Sequence, residues 1–268
     1  VIALESKKIM SELKAAPVLL MINGARANII LNRPEKRNAI TVAMWRKIPE
    51  MIKTCEADPK VRLIVIQGAG GVFASGADIA EFETIYATRE NAIANHMVIQ
   101  AAMQAVETCE KPTLALIEGA CVGGGCGLAL ACDFRRAAPG ARFGITPGKL
   151  GLVYGVADTR RLVQAVGVSA AKDILFTGRL IDAKEAAAIG LVDALSETLE
   201  ADADALANLL SQASRHTMRT TKDILRRIAS GQSDDDTQTR NMFADSFVGP
   251  DFIEGFTAFM TKRKPNFQ

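Results

Sequence analysis

The stretch Ile117-Glu118-Gly119-Ala120-Cys121-Val122-Gly123-Gly124-Gly125-Cys126-Gly127-Leu128-Ala129-Leu130-Ala131-Cys132-Asp133 decides the reading of this chain. Upstream of it the apolar run Thr113 to Ile117 reads as a strand, and the glycine triplet leads into a small-residue apolar helix beginning near Gly125. A strand that turns into a helix this sharply leaves the first helical amides without partners, so their partial positive charge faces whatever lies beyond the turn. Glycines there let the chain turn tightly and let another molecule approach the main chain. An anion, or an oxygen that becomes negative during a reaction, is the occupant such a turn would hold. A glycine-lined packing contact between strand and helix is the alternative that the triplet alone leaves open.

Working outward, Arg62 to Gln67 contains Leu63-Ile64-Val65-Ile66, a continuous apolar run that fits a strand covered on both faces. Val18 to Ile22, a turn at Asn23-Gly24, and Ala27 to Leu31 read as a hairpin stopped by Pro34. Thr41 is placed to cap a helix to about Cys55, with Ala43, Ile48, Met51 and Ile52 on one face. A long helix from about Arg89 to Cys109 ends before Lys111-Pro112. Strands alternating with helices in this way predict an α/β fold.

Between these elements, the glycine-rich loop Gly68 to Gly71 leads into Phe73-Ala74-Ser75-Gly76-Ala77-Asp78-Ile79, where Asp78 and Glu81 have the spacing of a helix cap and its reciprocal partner. Phe134 to Ala137 and Arg142 to Gly144 read as short strands, and Thr146-Pro147-Gly148-Lys149 as a loop. Asp158 with Thr159 reads as the opening cap of a helix to Val166; Ser169 caps another through Phe176, and Asp182 a third through Ile189. Leu191-Val192-Asp193 is expected to be extended. From Glu200 onward the pattern is wholly helical, over about Ala201 to His216, Thr220 to Ile228, Asp234 to Phe247 and Asp251 to Lys262, a separable layer suited to assembly.

The 32 basic and 30 acidic residues leave a net charge of +2, which argues against a nucleic-acid partner held by a broad basic face. Cys55, Cys109, Cys121, Cys126 and Cys132 make an odd count without a Cys-x-x-Cys pair and read as small buried thiols in a reducing compartment. No apolar window of about twenty residues suggests a membrane span and no signal-type start is visible, so the expected location is cytoplasmic. Neither histidine has a triad-like or metal-ligand context, so His96 and His216 read as surface or partner contacts and no metal is expected. Met10-Ser11-Glu12-Leu13 looks like a native start, which sets residues 1–9 apart as a leader, with residues 10–196 as the main domain and 197–268 as a C-terminal helical assembly region.

Together, Leu31-Asn32-Arg33-Pro34, Phe73 to Ile79, the glycine triplet, Phe143-Gly144, Lys149 to Leu152, Arg161-Leu162, Phe176-Thr177-Gly178, Gly190-Leu191-Val192 and Lys262-Arg263-Lys264 resemble, in order, the crotonase superfamily of enoyl-CoA hydratases and isomerases. The resemblance implies an α/β spiral of ββα units with a C-terminal helical trimerisation region, assembled as a homotrimer or as a hexamer of two trimers. It implies an acyl-CoA thioester substrate, with coenzyme A part of the substrate and no separate cofactor. By motif, the oxyanion donors are the main-chain N–H groups of Ala77 and Gly124; Ala74, Gly76 and Asp78 border the coenzyme, and Phe259 with Lys262 resembles the pair that reaches the coenzyme of a neighbouring protomer.

Water-adding members of that family use two glutamates, and here Gly127 and Pro147 stand at those positions. The loop Thr146 to Tyr154 resembles instead that of methylmalonyl-CoA decarboxylase, with Thr-Pro, Leu-Gly and Tyr154 at matching distances, although that family's histidine after the loop glycine is Ala77 here. Tyr154 would then orient a departing carboxylate, and Asp158 could reach the acyl pocket from the start of its helix. The readings left open are an enolate-forming acyl-CoA enzyme lacking both hydratase glutamates, a malonyl-type decarboxylase, and a CoA-thioester-binding pseudoenzyme.

Overall fold

The computed structural model describes residues 16–267, so the expected leader at 1–9 and the start at Met10 lie outside the described residues. Strands β1 (Val18–Asn23) and β2 (Arg26–Leu31) form the expected hairpin, with Asn23 opposite Arg26. The turn is therefore Gly24-Ala25, one residue later than the Asn-Gly pair suggested; Gly24 takes φ +59° at the first central position, where a two-residue hairpin of this kind favours glycine. From β2 the sheet continues in parallel through β3 (Leu63–Gly68), β4 (Thr113–Ile117), β6 (Phe134–Ala137) and β9 (Ala194–Leu195). A smaller three-stranded sheet pairs β5 (Ala120–Val122), β7 (Arg142–Gly144) and β8 (Ile181–Asp182). The extended segment expected at Leu191 to Asp193 forms its strand slightly later, at β9.

The helices are α1 (Val42–Ala57), the short α2 (Phe82–Ile85), α3 (Arg89–Thr108), α4 (Gly124–Ala131), α5 (Val156–Thr177), α6 (Ala183–Ala188), α7 (Leu199–Ser211), α8 (Arg215–Ala229), α9 (Thr237–Ser246) and α10 (Pro250–Met260). The Thr41 hydroxyl accepts from Met44 N at 3.2 Å and opens α1, whose buried face is Met44, Trp45, Ile48, Met51, Ile52 and Cys55, while Ala43 points outward. Helix α5 contains both helices expected there, joined across Gly167 (φ 74°, ψ 166°). Thr146 to Lys149 is not a free loop: Pro147–Leu150 forms a single 3-10 turn, which proline tolerates at its first position. The first C-terminal helix stops at Ser211, because Ser214 caps α8 by accepting from Thr217 N.

Alternation along the parallel strands decides the layers. Ala27, Ile29, Leu31, Ile64, Ile66, Ala115 and Ile117 join α1, α3 and α4 in the main core. On the opposite face Leu63, Val65, Leu114 and Leu116 pack against Leu199, Ala203 and Ala207 of α7. The double coverage expected of β3 is therefore present, β4 shares it, and the helical C-terminal region begins as a cover for the sheet. Asp133 fastens its next helix: its Oδ2 accepts from Thr113 N (2.8 Å), Thr113 Oγ1 (2.9 Å) and Lys222 Nζ of α8 (2.7 Å).

Asn38 holds the loop on which the site depends. It is fully buried at φ 53°, a conformation asparagine tolerates better than most residues. Its side chain accepts from Arg33 N (2.8 Å) and donates to Ala69 O (2.9 Å) and Val72 O (2.5 Å), joining the β2–α1 connection to the segment that leaves β3. Asn38→Ala should lose about 2–4 kcal/mol in chemical denaturation, since it removes these bonds and strands two carbonyls. A loss below about 0.5 kcal/mol would show that the loop is held otherwise.

Candidate active site

Two segments leaving the carboxyl ends of β3 and β4 meet at the glycine triplet. Ala74 pairs with β5, its N–H donating to Ala120 O (2.9 Å) and its carbonyl accepting from Val122 N (2.9 Å). On the other side, Ile40 N donates to Gly76 O (2.8 Å) and Asp78 N donates to Ile40 O (3.1 Å). Successive main-chain groups of an extended segment point to opposite sides, so the N–H of Ala77 faces away from Ile40. Neither it nor the N–H of Gly124, first residue of α4, has a hydrogen-bond partner among the described residues.

The glycines explain how the two donors come together. Gly76 sits at φ 109° and Gly123 at φ 54°, and a Cβ placed on Gly123 would lie 3.7 Å from Gly76 Cα. A Cβ on Gly125 would lie 2.8 Å from Ala74 O and 2.9 Å from Ala74 Cβ, closer than real side chains approach main chain. The eight residues of α4 then add their aligned N-terminal amides. Two main-chain donors without partners thus lie at one crossing, where the sequence resemblance leads one to expect an oxyanion.

The other sequence candidates fall on three sides of this centre. Ala74 is fully buried and Gly76 is buried, so they shape the loop rather than offer side-chain surface. The Asp78 carboxylate accepts from Arg33 Nη1 (2.7 Å) and from Ala80 N (3.1 Å), and the Arg33 hydrogen bond holds it below its ordinary range. It caps a 3-10 turn as expected, but its reciprocal partner is missing: Glu81 Oε2 instead accepts from Val42 N (2.8 Å) and ties the loop to α1. Phe259 is exposed at the end of α10, and Lys262 follows at φ 54°; no hydrogen bond among the described residues joins either to the Ala74–Asp78 loop.

Tyr154 packs its ring against the core and brings its hydroxyl to the triplet, where Oη lies 3.4 Å from Gly123 O. Burial, and then the Asp158 carboxylate, pushes its phenol well above the ordinary range, so it stays a neutral hydrogen-bonding group. A Cβ on Gly127 would lie 3.0 Å from this hydroxyl and 2.5 Å from Met103 Cε, so Tyr154 and Met103 border the space a side chain at 127 would enter. Pro147 opens its 3-10 turn and carries no proton to give.

Asp158 departs from its expected capping role. The cap of α5 is Gly155, and Asp158 sits inside the first turn with its side chain buried. Its Oδ2 accepts from Gln100 Nε2 (2.7 Å) and its Oδ1 from Arg161 Nη1 (3.2 Å). Burial raises its pKa against the opposing effects of Gln100 and Arg161. Arg161 continues to Glu107 Oε2 (2.6 Å), which shares its carboxylate with Arg160 (2.5 Å). Burial pushes Glu107 up, but the two arginines outweigh it and hold the carboxyl low.

Gln100, Glu107 and Arg161 escaped the sequence reading, as did the place of His96, which is exposed yet lies against Gly155 beside Asp158. Their signal was helical spacing: His96, Gln100, Met103 and Glu107 recur on one stripe of α3, facing the start of α5. All five cysteines are buried and free. Burial pushes Cys55 up to about 11 and Cys109 and Cys132 to about 12, so they are inert thiols, as expected. No helix among the described residues is long and apolar enough to cross a membrane.

The parallel sheet, the small second sheet and the helical layer at the C-terminal end define the class, a crotonase-fold protein. The chain matches the enoyl-CoA hydratase/isomerase family over residues 22–268 and belongs to it. A solved structure of an enoyl-CoA hydratase/isomerase family protein from Hyphomonas neptunium superposes with a TM-score of 0.93 at 47% identity, covering 96% of this chain and 99% of that one. A probable enoyl-CoA hydratase from Mycobacterium leprae is 38% identical over 242 residues, 89% of this chain and 93% of that protein. A crotonyl-CoA hydratase from Syntrophomonas wolfei is 34% identical over 248 residues, 90% of this chain and 94% of that protein.

Gly125→Ala tests the main-chain crossing. The new Cβ meets backbone that cannot swing aside, so stability should fall by about 1–3 kcal/mol despite alanine's better helix propensity. A melting temperature equal to or above that of the unaltered protein would contradict the close approach.

Proposed function

We propose that the protein acts on an acyl-CoA thioester whose α-carbon carries a carboxylate, releasing carbon dioxide through an enolate held by the N–H groups of Ala77 and Gly124. The observation that carries this reading is the pairing of two free main-chain donors with a site where the hydratase carboxylates are absent: Gly127 and Pro147 hold their places, and the neutral Tyr154 hydroxyl stands beside the first. In such a reaction the bond from the α-carbon to the carboxylate breaks and its electron pair moves to the thioester oxygen, so no base is needed. The carboxylate leaves as carbon dioxide as that bond breaks, and the enolate left behind then takes a proton from solvent water at its α-carbon. One oxyanion donor is worth on the order of 3 kcal/mol to such a transition state.

Tyr154 orients the departing carboxylate and Asp158, beside it, is the titratable group whose burial favours its protonated form; the Arg161–Glu107–Arg160 network fixes Asp158 in place. Hydration would need two proton-transfer groups, each worth about 10²- to 10⁴-fold. Adding glutamate at 127 has first to displace Met103 and Tyr154. The exposed aromatic residues Phe243 of α9, Phe247 just after it, and Phe252, Phe256 and Phe259 of α10 support assembly into trimers or hexamers, and the coenzyme itself travels with the substrate.

Mass spectrometry of a panel of CoA thioesters incubated with purified protein tests the reading. Malonyl-type thioesters should lose 44 mass units, a figure of about that size following from carbon dioxide loss, while crotonyl-CoA should be hydrated weakly or not at all. Tyr154→Phe should keep affinity for CoA ligands yet lose malonyl-type turnover, whereas a purely structural tyrosine would lose about 1 kcal/mol of stability with turnover intact. Binding without turnover of any thioester would identify a CoA-thioester-binding pseudoenzyme instead.

A further inference from the structure

At the opposite end of the parallel strands, where β3 and β4 begin, a cavity of about 460 Å³ opens between the sheet and the C-terminal helices. Its lining gathers Arg62 ahead of β3, Lys111 ahead of β4, and Arg215, His216 and Arg219 from the first turns of α8. Arg62, Lys111 and Arg215 form no ion pair among the described residues; main-chain carbonyls alone accept from them. Arg62 Nη2 donates to Phe267 O (3.2 Å), Lys111 Nζ to Cys55 O (2.7 Å) and Asp58 O (2.5 Å), and Arg215 Nη2 to Pro59 O.

The carboxylates of the same cavity are otherwise engaged. Glu56 accepts from Glu110 N (2.8 Å), Asp251 from Ser214 Oγ (2.5 Å), and Glu110 lies 3.6 Å from Arg219. Burial and then Arg215 lower the pKa of both Arg62 and Lys111, against the opposing pull of Asp251 on Arg62 and of Asp58 on Lys111, so like charges lie close in a partly dry place. Three nitrogens on these residues, Arg62 Nη1, Arg215 Nε and His216 Nε2, are buried with no hydrogen-bond partner. Four permanent cations, Arg62, Lys111, Arg215 and Arg219, line the cavity against three carboxylates, and the buried nitrogens without partners call for an acceptor; guanidinium groups match phosphate oxygens in geometry.

We propose that this cavity is a second ligand site, separate from the thioester centre, which binds a phosphate group through Arg62, Lys111 and Arg215. Its volume exceeds what a bare ion fills and lies in the range of small-molecule pockets, so the fitting occupant is the phosphate ester of a small organic molecule. The inference does not depend on the reaction proposed above, because none of its residues lies at the glycine triplet.

Thermal unfolding and calorimetric titration with inorganic phosphate and with glycerol 3-phosphate, each against sodium chloride at equal ionic strength, test it on the full chain. Both probes should raise the melting temperature saturably, the ester at least as tightly as the free ion. Arg62→Gln, Lys111→Gln and Arg215→Gln should each weaken binding about tenfold or more, as expected for losing a charged hydrogen bond, while Lys47→Gln on the exposed face of α1 leaves it unchanged. Without ligand, Arg215→Gln should melt no lower than the unaltered protein, because it relieves like-charge crowding. Binding that is absent, or that persists unchanged in all three variants, would overturn the site; binding of inorganic phosphate alone through these residues would keep the site and make its occupant the free ion.

Discussion

The crossing of two glycine-bearing segments, Ala74–Ala77 over Gly123–Gly125, is the constraint on which the rest of this structure depends. At Gly125 the separation leaves no room for a methyl group against the Ala74 carbonyl, and the positive φ of Gly76 and Gly123 lets each segment turn at the crossing. Nearly everything around it serves to hold these two pieces of main chain still. Asn38 fastens the approach from β3, Glu81 ties the loop to α1, β5 pairs with Ala74, and α4 is buried on every side from Gly125 to Ala131. Free N–H groups are costly when buried, and in the proposed reaction the thioester oxygen is the partner that these two would take.

A site made of main chain leaves side chains free to set the reaction. In this chain the two positions that would carry proton-transfer carboxylates hold glycine and proline, and a neutral phenol and a thioether border the space at the first. The charged groups lie one layer farther out, in the line Gln100, Asp158, Arg161, Glu107 and Arg160, where each carboxylate accepts from at least two donors. Such a network is well satisfied and therefore rigid, which suits positioning better than rapid proton exchange. The proposed chemistry, in which charge develops on the thioester oxygen without prior removal of a proton, needs no carboxylate at either position.

Much of the frame was legible because local physics decided it. The apolar run at Leu63–Ile66 reads as a strand covered twice and Thr113–Ile117 as a buried strand, and Thr41, Ser214 and Asp182 cap helices with their own side chains, although the cap at Ser214 falls inside the helix expected to continue to His216. Asp158 was misread for the opposite reason. Its neighbours look like a helix start, yet Gly155 supplies the turn, and of the two partners of the Asp158 carboxylate Arg161 is three residues on while Gln100 comes from a helix more than fifty residues away, which local pattern does not reveal. The same distance hid Gln100 and Glu107, whose role exists only once α3 lies against α5. The cations at Arg62, Lys111 and Arg215 were equally silent, since three separate connections bring them to one cavity.

Isotope-edited infrared spectroscopy of acetyl-CoA carrying a ¹³C-labelled thioester carbonyl tests most directly whether Ala77 and Gly124 form a working oxyanion hole. Acetyl-CoA has no carboxylate to lose, so the bound carbonyl reports polarisation alone, before any reaction. The account predicts a carbonyl band shifted to lower frequency on binding than in water, because two fixed N–H donors in a shielded site polarise the bond more than solvent does. A bound carbonyl at its aqueous frequency or above would contradict it.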